Sequence, residues 1–120
     1  MKKMIVIDDD LPILDAFRII FESEDFDITT YTDGTNIING DFRIPDVFVL
    51  DKQLSGLDGI ELCKLLKSRN DTQNIPVVIL SAASDIDKVA KAAGAAAVLH
   101  KPFKIKTLRD CIRKQVLRQH

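Results

Sequence analysis

The chain has 120 residues, of which 46% are hydrophobic and 29% charged, with a formal net charge of −1. That is material for one core-forming domain spanning residues 1–120, without the positive excess that bulk binding to nucleic acid or an anionic membrane requires. No apolar run approaches the roughly 20 residues of a membrane-spanning helix, Lys2 and Lys3 are not followed by the apolar stretch of a leader, and Cys63 and Cys111 sit in apolar helical patterns, as buried thiols of a reduced, cytoplasmic protein do.

Short apolar runs alternate with longer amphipathic segments. Met4-Ile5-Val6-Ile7 opens the series and is continuous rather than alternating, the pattern of a strand buried on both faces. A helix follows: Ile13, Leu14, Phe17, Ile20 and Phe21 make one apolar stripe, Asp10 or Leu11 opens it, and Pro12 falls in the first turn, where its missing N–H costs nothing. Asp27 to Tyr31 is more polar and threonine-rich, suited to an edge strand, and Asp33 to Gly40 is a poor helix with glycines near both ends. Val47-Phe48-Val49-Leu50 is the next buried strand, followed by a helix striped with Ile60, Cys63 and Leu66. Val77-Val78-Ile79-Leu80 leads to a helix carrying Ile86, Val89, Ala90 and Ala93, with Ser84 or Asp85 as N-cap and Gly94 at its end. A weaker run, Ala97-Val98-Leu99, precedes a last helix striped with Ile105, Leu108, Ile112 and Val116. Its basic residues Lys104, Lys106, Arg109, Arg113, Lys114 and Arg118 read as a solvated face or a docking face. Five βα repeats with right-handed crossovers predict an α/β fold, a parallel sheet in a three-layer, doubly wound sandwich.

The residues that follow the apolar runs carry the chemistry. After the first run come Asp8 and Asp9, after the second Asp51, after the third Ser81, and after the last, beyond His100, Lys101. In a parallel sheet these all lie at the carboxyl edge, where ligands bind. Converging carboxylates repel one another unless a cation joins them. Mg²⁺ suits such a set, since it takes oxygen ligands from one or two carboxylates and completes its shell with water and phosphate oxygens. A carboxylate is also a nucleophile able to form an aspartyl phosphate. Lys101 and the Ser81 hydroxyl then supply charge and a hydrogen bond to phosphoryl oxygens. His100 reads as a surface or packing histidine rather than a phosphocarrier, and Asp10 as a cap or first-turn acid.

Val6-Ile7-Asp8-Asp9-Asp10, Pro45-Asp46-Val47-Phe48-Val49-Leu50-Asp51, Gly56-Leu57-Asp58-Gly59, Pro76-Val77-Val78-Ile79-Leu80-Ser81-Ala82 and Lys101-Pro102-Phe103 together resemble the receiver domain of bacterial two-component response regulators. The resemblance covers essentially the whole chain. It implies a flavodoxin-like sheet of strand order 2-1-3-4-5. It implies Asp51 as phosphoacceptor, with Ser81 and Lys101 on the phosphoryl group. It implies Mg²⁺ held by Asp9, Asp51 and the backbone carbonyl of Gln53, with Asp8 acting through water, and a cis Lys101–Pro102 bond. The implied donor is a histidine kinase or histidine phosphotransfer protein. The implied readers are a downstream target protein, a fused effector domain or a phosphorylation-dependent homodimer, with no nucleic-acid or membrane contact by this domain. Such a domain catalyses only its own phosphorylation and dephosphorylation. Gln53 and Ala83 border the path of attacking water and are expected to tune the phosphoryl lifetime.

The chain departs from the family pattern at Val98, where a Tyr or Phe is usual, at Ala96 and Ala97 in place of an acidic pair, at Ser55 in place of Pro, and at Ser81 in place of the commoner Thr. These changes leave the phosphorylation chemistry intact and bear on how it is read out. They also leave open a binding module that works independently of phosphorylation. Asp8-Asp9-Asp10 contains the Asp-x-Asp of haloacid-dehalogenase phosphohydrolases too, but those have a larger fold with a cap insertion and further acids after the lysine, where this chain has only Asp110.

Overall fold

The computed structural model describes residues 1–117. The elements are β1 (Lys2–Ile7), α1 (Leu11–Glu22), β2 (Phe26–Tyr31), α2 (Thr35–Ile38), β3 (Val47–Asp51), α3 (Gly59–Ser68), β4 (Val77–Ser81), α4 (Asp87–Ala92), β5 (Ala97–His100) and α5 (Ile105–Leu117). All five strands are parallel, in the order β2-β1-β3-β4-β5. The polar β2 is an edge strand, as its composition predicts.

Alternation along the central strands divides the core in two. Met4, Val6, Val47, Val49, Val78 and Leu80 face α1 and α5, whose Leu14, Phe17, Phe21, Leu108 and Ile112 cover them. Ile5, Ile7, Phe48, Leu50, Val77 and Ile79 face Ile37 of α2, Ile60, Cys63 and Leu66 of α3, and Ala90 of α4. Each buried aliphatic or aromatic side chain contributes about 1.5–3 kcal/mol relative to exposure, so a strand with two apolar faces is stable only with helices on both sides. This is why β1, β3 and β4 read as unbroken apolar runs.

Four details differ from the sequence reading. The N-cap of α4 is Ile86, with no side-chain cap; Ser84 and Asp85 lie in the exposed segment before it, because burial of Ile86 anchors the helix start. Val89 is 50% exposed, since the buried stripe of this six-residue helix is Ile86, Ala90 and Ala93 and Val89 falls on its flank. Ile105 is 54% exposed because it begins α5 beyond the end of the sheet. The basic residues of α5 are not all a free face. Arg109 Nε lies 2.6 Å from Glu24 Oε2, and Arg113 pairs with the other oxygen of that carboxylate. Arg118 lies outside the described residues.

Candidate functional site

The order of strands reverses direction between β1 and β3, and the carboxyl ends of those two strands meet there. Such a switch point leaves a crevice that no crossover helix fills. Asp8 and Asp9 follow β1, and Asp51 is the last residue of β3. One carboxylate oxygen from each of the three lies within 4.8 Å of the others. Ser81 ends β4, and Lys101 follows β5 with its N–H donating to the Ser81 carbonyl at 2.7 Å.

Each side chain is oriented by a short-range partner. Asp8 is fully buried; its Oδ1 accepts from the Asp10 N–H at 2.9 Å and its Oδ2 from Lys101 Nζ at 3.1 Å. Asp51 is 4% exposed, accepts from the Gln53 N–H at 3.3 Å through Oδ1, and meets Lys101 Nζ at 3.3 Å through Oδ2. Ser81 is buried, and its Oγ accepts from the Ala83 N–H at 3.0 Å, which still leaves the hydroxyl a proton to donate. Asp9 is exposed at the mouth. The residues that sequence reasoning selected are therefore brought together, with Gln53 in the bend just beyond Asp51.

Burial raises the Asp8 pKa to about 6, aided by repulsion from Asp51 and opposed by the Asp10 N–H and by Lys101. Burial alone would lower the Lys101 pKa, but Asp8 and Asp51 outweigh it and hold the ammonium above its ordinary value. One ammonium thus faces two buried carboxylates and a third beside them. Asp8 ionises with reluctance, chiefly because it is buried and to a smaller extent because Asp51 lies beside it. An all-oxygen, three-carboxylate set of this kind fits a hard divalent cation such as Mg²⁺.

The family model of the response regulator receiver domain matches residues 4–113. This chain is a response regulator receiver domain. It is 31% identical over 120 residues to the DNA-binding response regulator MtrA of Mycobacterium tuberculosis, an alignment covering 98% of this chain and 51% of MtrA. It is similar in structure to the receiver domain of the Francisella response regulator 1452, with 32% identity, a TM-score of 0.89 and 100% of both chains covered. The receiver domain of the sensor histidine kinase PA1611 of Pseudomonas aeruginosa, described with magnesium coordinated in its active-site cleft, shares the fold at 19% identity, with a TM-score of 0.85 over 96% of this chain and 97% of that one. The receiver spans about half the length of the curated relatives it matches.

Receiver domains bind Mg²⁺ at an acidic site and interact with histidine kinases and effector domains; in this receiver the acidic cluster is Asp8, Asp9 and Asp51. The Lys101–Pro102 peptide is cis. No helix among the described residues is long and apolar enough to cross a membrane. Val98 is half-buried against the face that α2, α3 and α4 cover.

Two supports of the receiver site lie in the Gly56-Leu57-Asp58-Gly59 motif but were given no role from sequence. Gly59 opens α3 directly against the phosphoacceptor strand: a Cβ there would lie 2.2 Å from the Asp51 carbonyl oxygen. Asp58 caps α3 by accepting from the Glu61 N–H at 3.0 Å, while its other oxygen pairs with Lys52 Nζ at 3.5 Å. The cap is visible afterwards as an Asp three residues before a Glu; the glycine contact has no local signal.

Proposed function

We propose that this receiver accepts a phosphoryl group on Asp51 from the phosphohistidine of a histidine kinase or histidine phosphotransfer protein, and that the modified domain changes its protein contacts. The observation that carries the reading is the reach of one ammonium to two buried carboxylates, Lys101 Nζ to Asp8 at 3.1 Å and to Asp51 at 3.3 Å. A surface ion pair needs no such convergence, and two buried carboxylates held this close are costly unless positive charge offsets them.

In the proposed step an Asp51 carboxylate oxygen forms the new O–P bond. The P–N bond of the donor breaks, its electron pair returns to the imidazole nitrogen, and that nitrogen takes up a proton. The Gln53 N–H on Oδ1 holds the carboxylate so that Oδ2 faces Lys101. Lys101 stabilises charge on the phosphoryl oxygens, and Ser81 donates its hydroxyl proton to one of them. When bound by Asp9, Asp51, the Gln53 carbonyl and, through water, Asp8, Mg²⁺ supplies positive charge that offsets the carboxylates and the phosphoryl oxygens. The magnesium described for the PA1611 receiver supports this assignment by likeness of fold. The domain turns over no other substrate; it catalyses its own phosphorylation and, by admitting water past Gln53 and Ala83, its own dephosphorylation. The readers are a target protein, a fused effector domain or a second copy of the receiver.

Incubation with Mg²⁺ and acetyl phosphate or phosphoramidate tests this. The intact mass rises by one phosphoryl group in the parent and not in Asp51→Asn. No gain, or a gain that survives Asp51→Asn, overturns the assignment. Partner binding that ignores both phosphorylation and Asp51→Asn identifies the domain as a phosphorylation-independent binding module instead.

A further inference from the structure

One ion pair near the site takes no part in the chemistry above. His100 Nε2 lies 3.0 Å from Asp87 Oδ1, joining the last residue of β5 to the first residue of α4. His100 is the register partner of Ser81 across the β4–β5 ladder, and the next residue, Lys101, donates its N–H to the Ser81 carbonyl. The pair therefore ties α4 to the one point of the sheet where Ser81 and Lys101 are both anchored.

The chain between Ser81 and α4 has little else to fix it. Ala82, Ala83, Ser84 and Asp85 are exposed, and Ile86 is the first buried residue after Ser81. Helix α4 is too short to be stable alone, and its N-cap offers no side-chain hydrogen bond. Its position depends on Ile86, Ala90 and Ala93 against the core and on Asp87 against His100. Between α4 and β5 lies a cleft of about 290 Å³ bordered by Asp87, Lys91, Ala96 and Val98. Val98 is short, branched and stiff about χ1, so it has no long group to carry a displacement from sheet to helix.

We propose that the Asp87–His100 pair is a latch that holds the start of α4 against β5 and sets how far phosphorylation moves that helix. The inference rests on the phosphorylation of Asp51 proposed above. Drawing the Ser81 hydroxyl toward a phosphoryl group pulls on residues 82–86, and that pull ends at Asp87. That pull opens the latch.

Hydrogen exchange read by mass spectrometry, on the full chain with Mg²⁺ and with or without acetyl phosphate, decides the matter. Without phosphate, His100→Ala and Asp87→Asn each speed exchange across α4 by about two- to fivefold, the range for an exposed ion pair. The double variant exchanges no faster than either single one, because both remove the same contact. His100→Gln, which keeps a donor, stays nearer the parent. On phosphorylation the parent shows an increase in α4 exchange that the unlatched variants largely lack, while their mass gain at Asp51 matches the parent. Parent-like exchange in the variants, additive effects in the double variant, or an undiminished increase on phosphorylation overturns the latch. No mass gain in the parent overturns the phosphorylation reading and the latch's role in it together, whereas a normal mass gain with an unchanged α4 response sinks the latch alone.

Discussion

Lys101 Nζ donates to Asp8 Oδ2 at 3.1 Å across 93 positions of sequence. The contact joins the first strand of the sheet to the loop after the last, and it places a partly exposed cation on a carboxylate that has no access to water. Removing one partner of such a pair leaves the other buried and unpaired, which costs more than the pair contributes.

Lys101→Met, which keeps the aliphatic stem, is accordingly expected to lose about 1–3 kcal/mol of stability in urea at neutral pH without Mg²⁺. Added Mg²⁺ narrows the deficit by neutralising Asp8 and Asp51. Phosphorylation by acetyl phosphate slows by about a hundredfold, the usual cost of removing one charge-stabilising donor. Parental stability in the variant would show that the ammonium is not what compensates Asp8.

The raised pKa of Asp8 makes a signed prediction. A carboxyl whose folded pKa is raised binds its proton more tightly in the folded state, so its contribution is fully present below the unfolded value of 3.8 and is lost as pH rises through about 6. The stability difference between the metal-free parent and Asp8→Asn should therefore shift against the parent between pH 4 and pH 7. The proton also competes with a cation for the same oxygens, so Mg²⁺ affinity falls as pH drops below about 6. Urea midpoints and Mg²⁺ titrations over this range check both; a pH-independent difference between the two proteins would place the Asp8 pKa elsewhere.

Gly59→Ala would put a methyl group 2.2 Å from the Asp51 carbonyl oxygen and 2.8 Å from its carbon, both backbone atoms that no rotamer change can clear. Either α3 or the end of β3 must shift. The expected result is a loss of about 1–3 kcal/mol and a phosphorylation rate that falls further than the folded fraction does. Gly94→Ala is the control. It strains a backbone at φ +100° and crowds Lys67 Cγ at 2.8 Å, far in sequence from the acidic cluster, so it costs stability and leaves the rate of the folded protein alone.

Cys63 is fully buried, its thiol donates to the Ala93 carbonyl at 3.4 Å, and burial raises its pKa to about 11. It should resist alkylation at pH 8 except through unfolding, while the half-buried Cys111, also raised by burial, reacts sooner. Peptide mapping after timed iodoacetamide treatment reads the order; Cys63 reacting first would mean that the α3–α4 packing opens locally.

The fold was legible from the order of residues because both faces of β1, β3 and β4 are covered. Each strand must then carry an unbroken apolar run, and the change to polar residues at its carboxyl end marked Asp8, Asp51 and the neighbourhood of Ser81 and Lys101 without any spatial knowledge. Local pattern was weaker wherever burial depends on what packs above. Val89 and Ile105 fit their helical stripes, yet the extent of the sheet leaves them in solvent. Ser84 and Asp85 are better capping residues than Ile86, yet core packing of Ile86 sets where α4 begins. Nor does sequence say that Asp8 is buried while Asp9 is open, that Lys101 spans two carboxylates, that Gly59 touches the Asp51 backbone or that Asp87 finds His100. The Lys101 and Asp87–His100 contacts join residues from different βα units, and all four features are decided by how the helices and loops seat on the sheet rather than by the residue types next to each position.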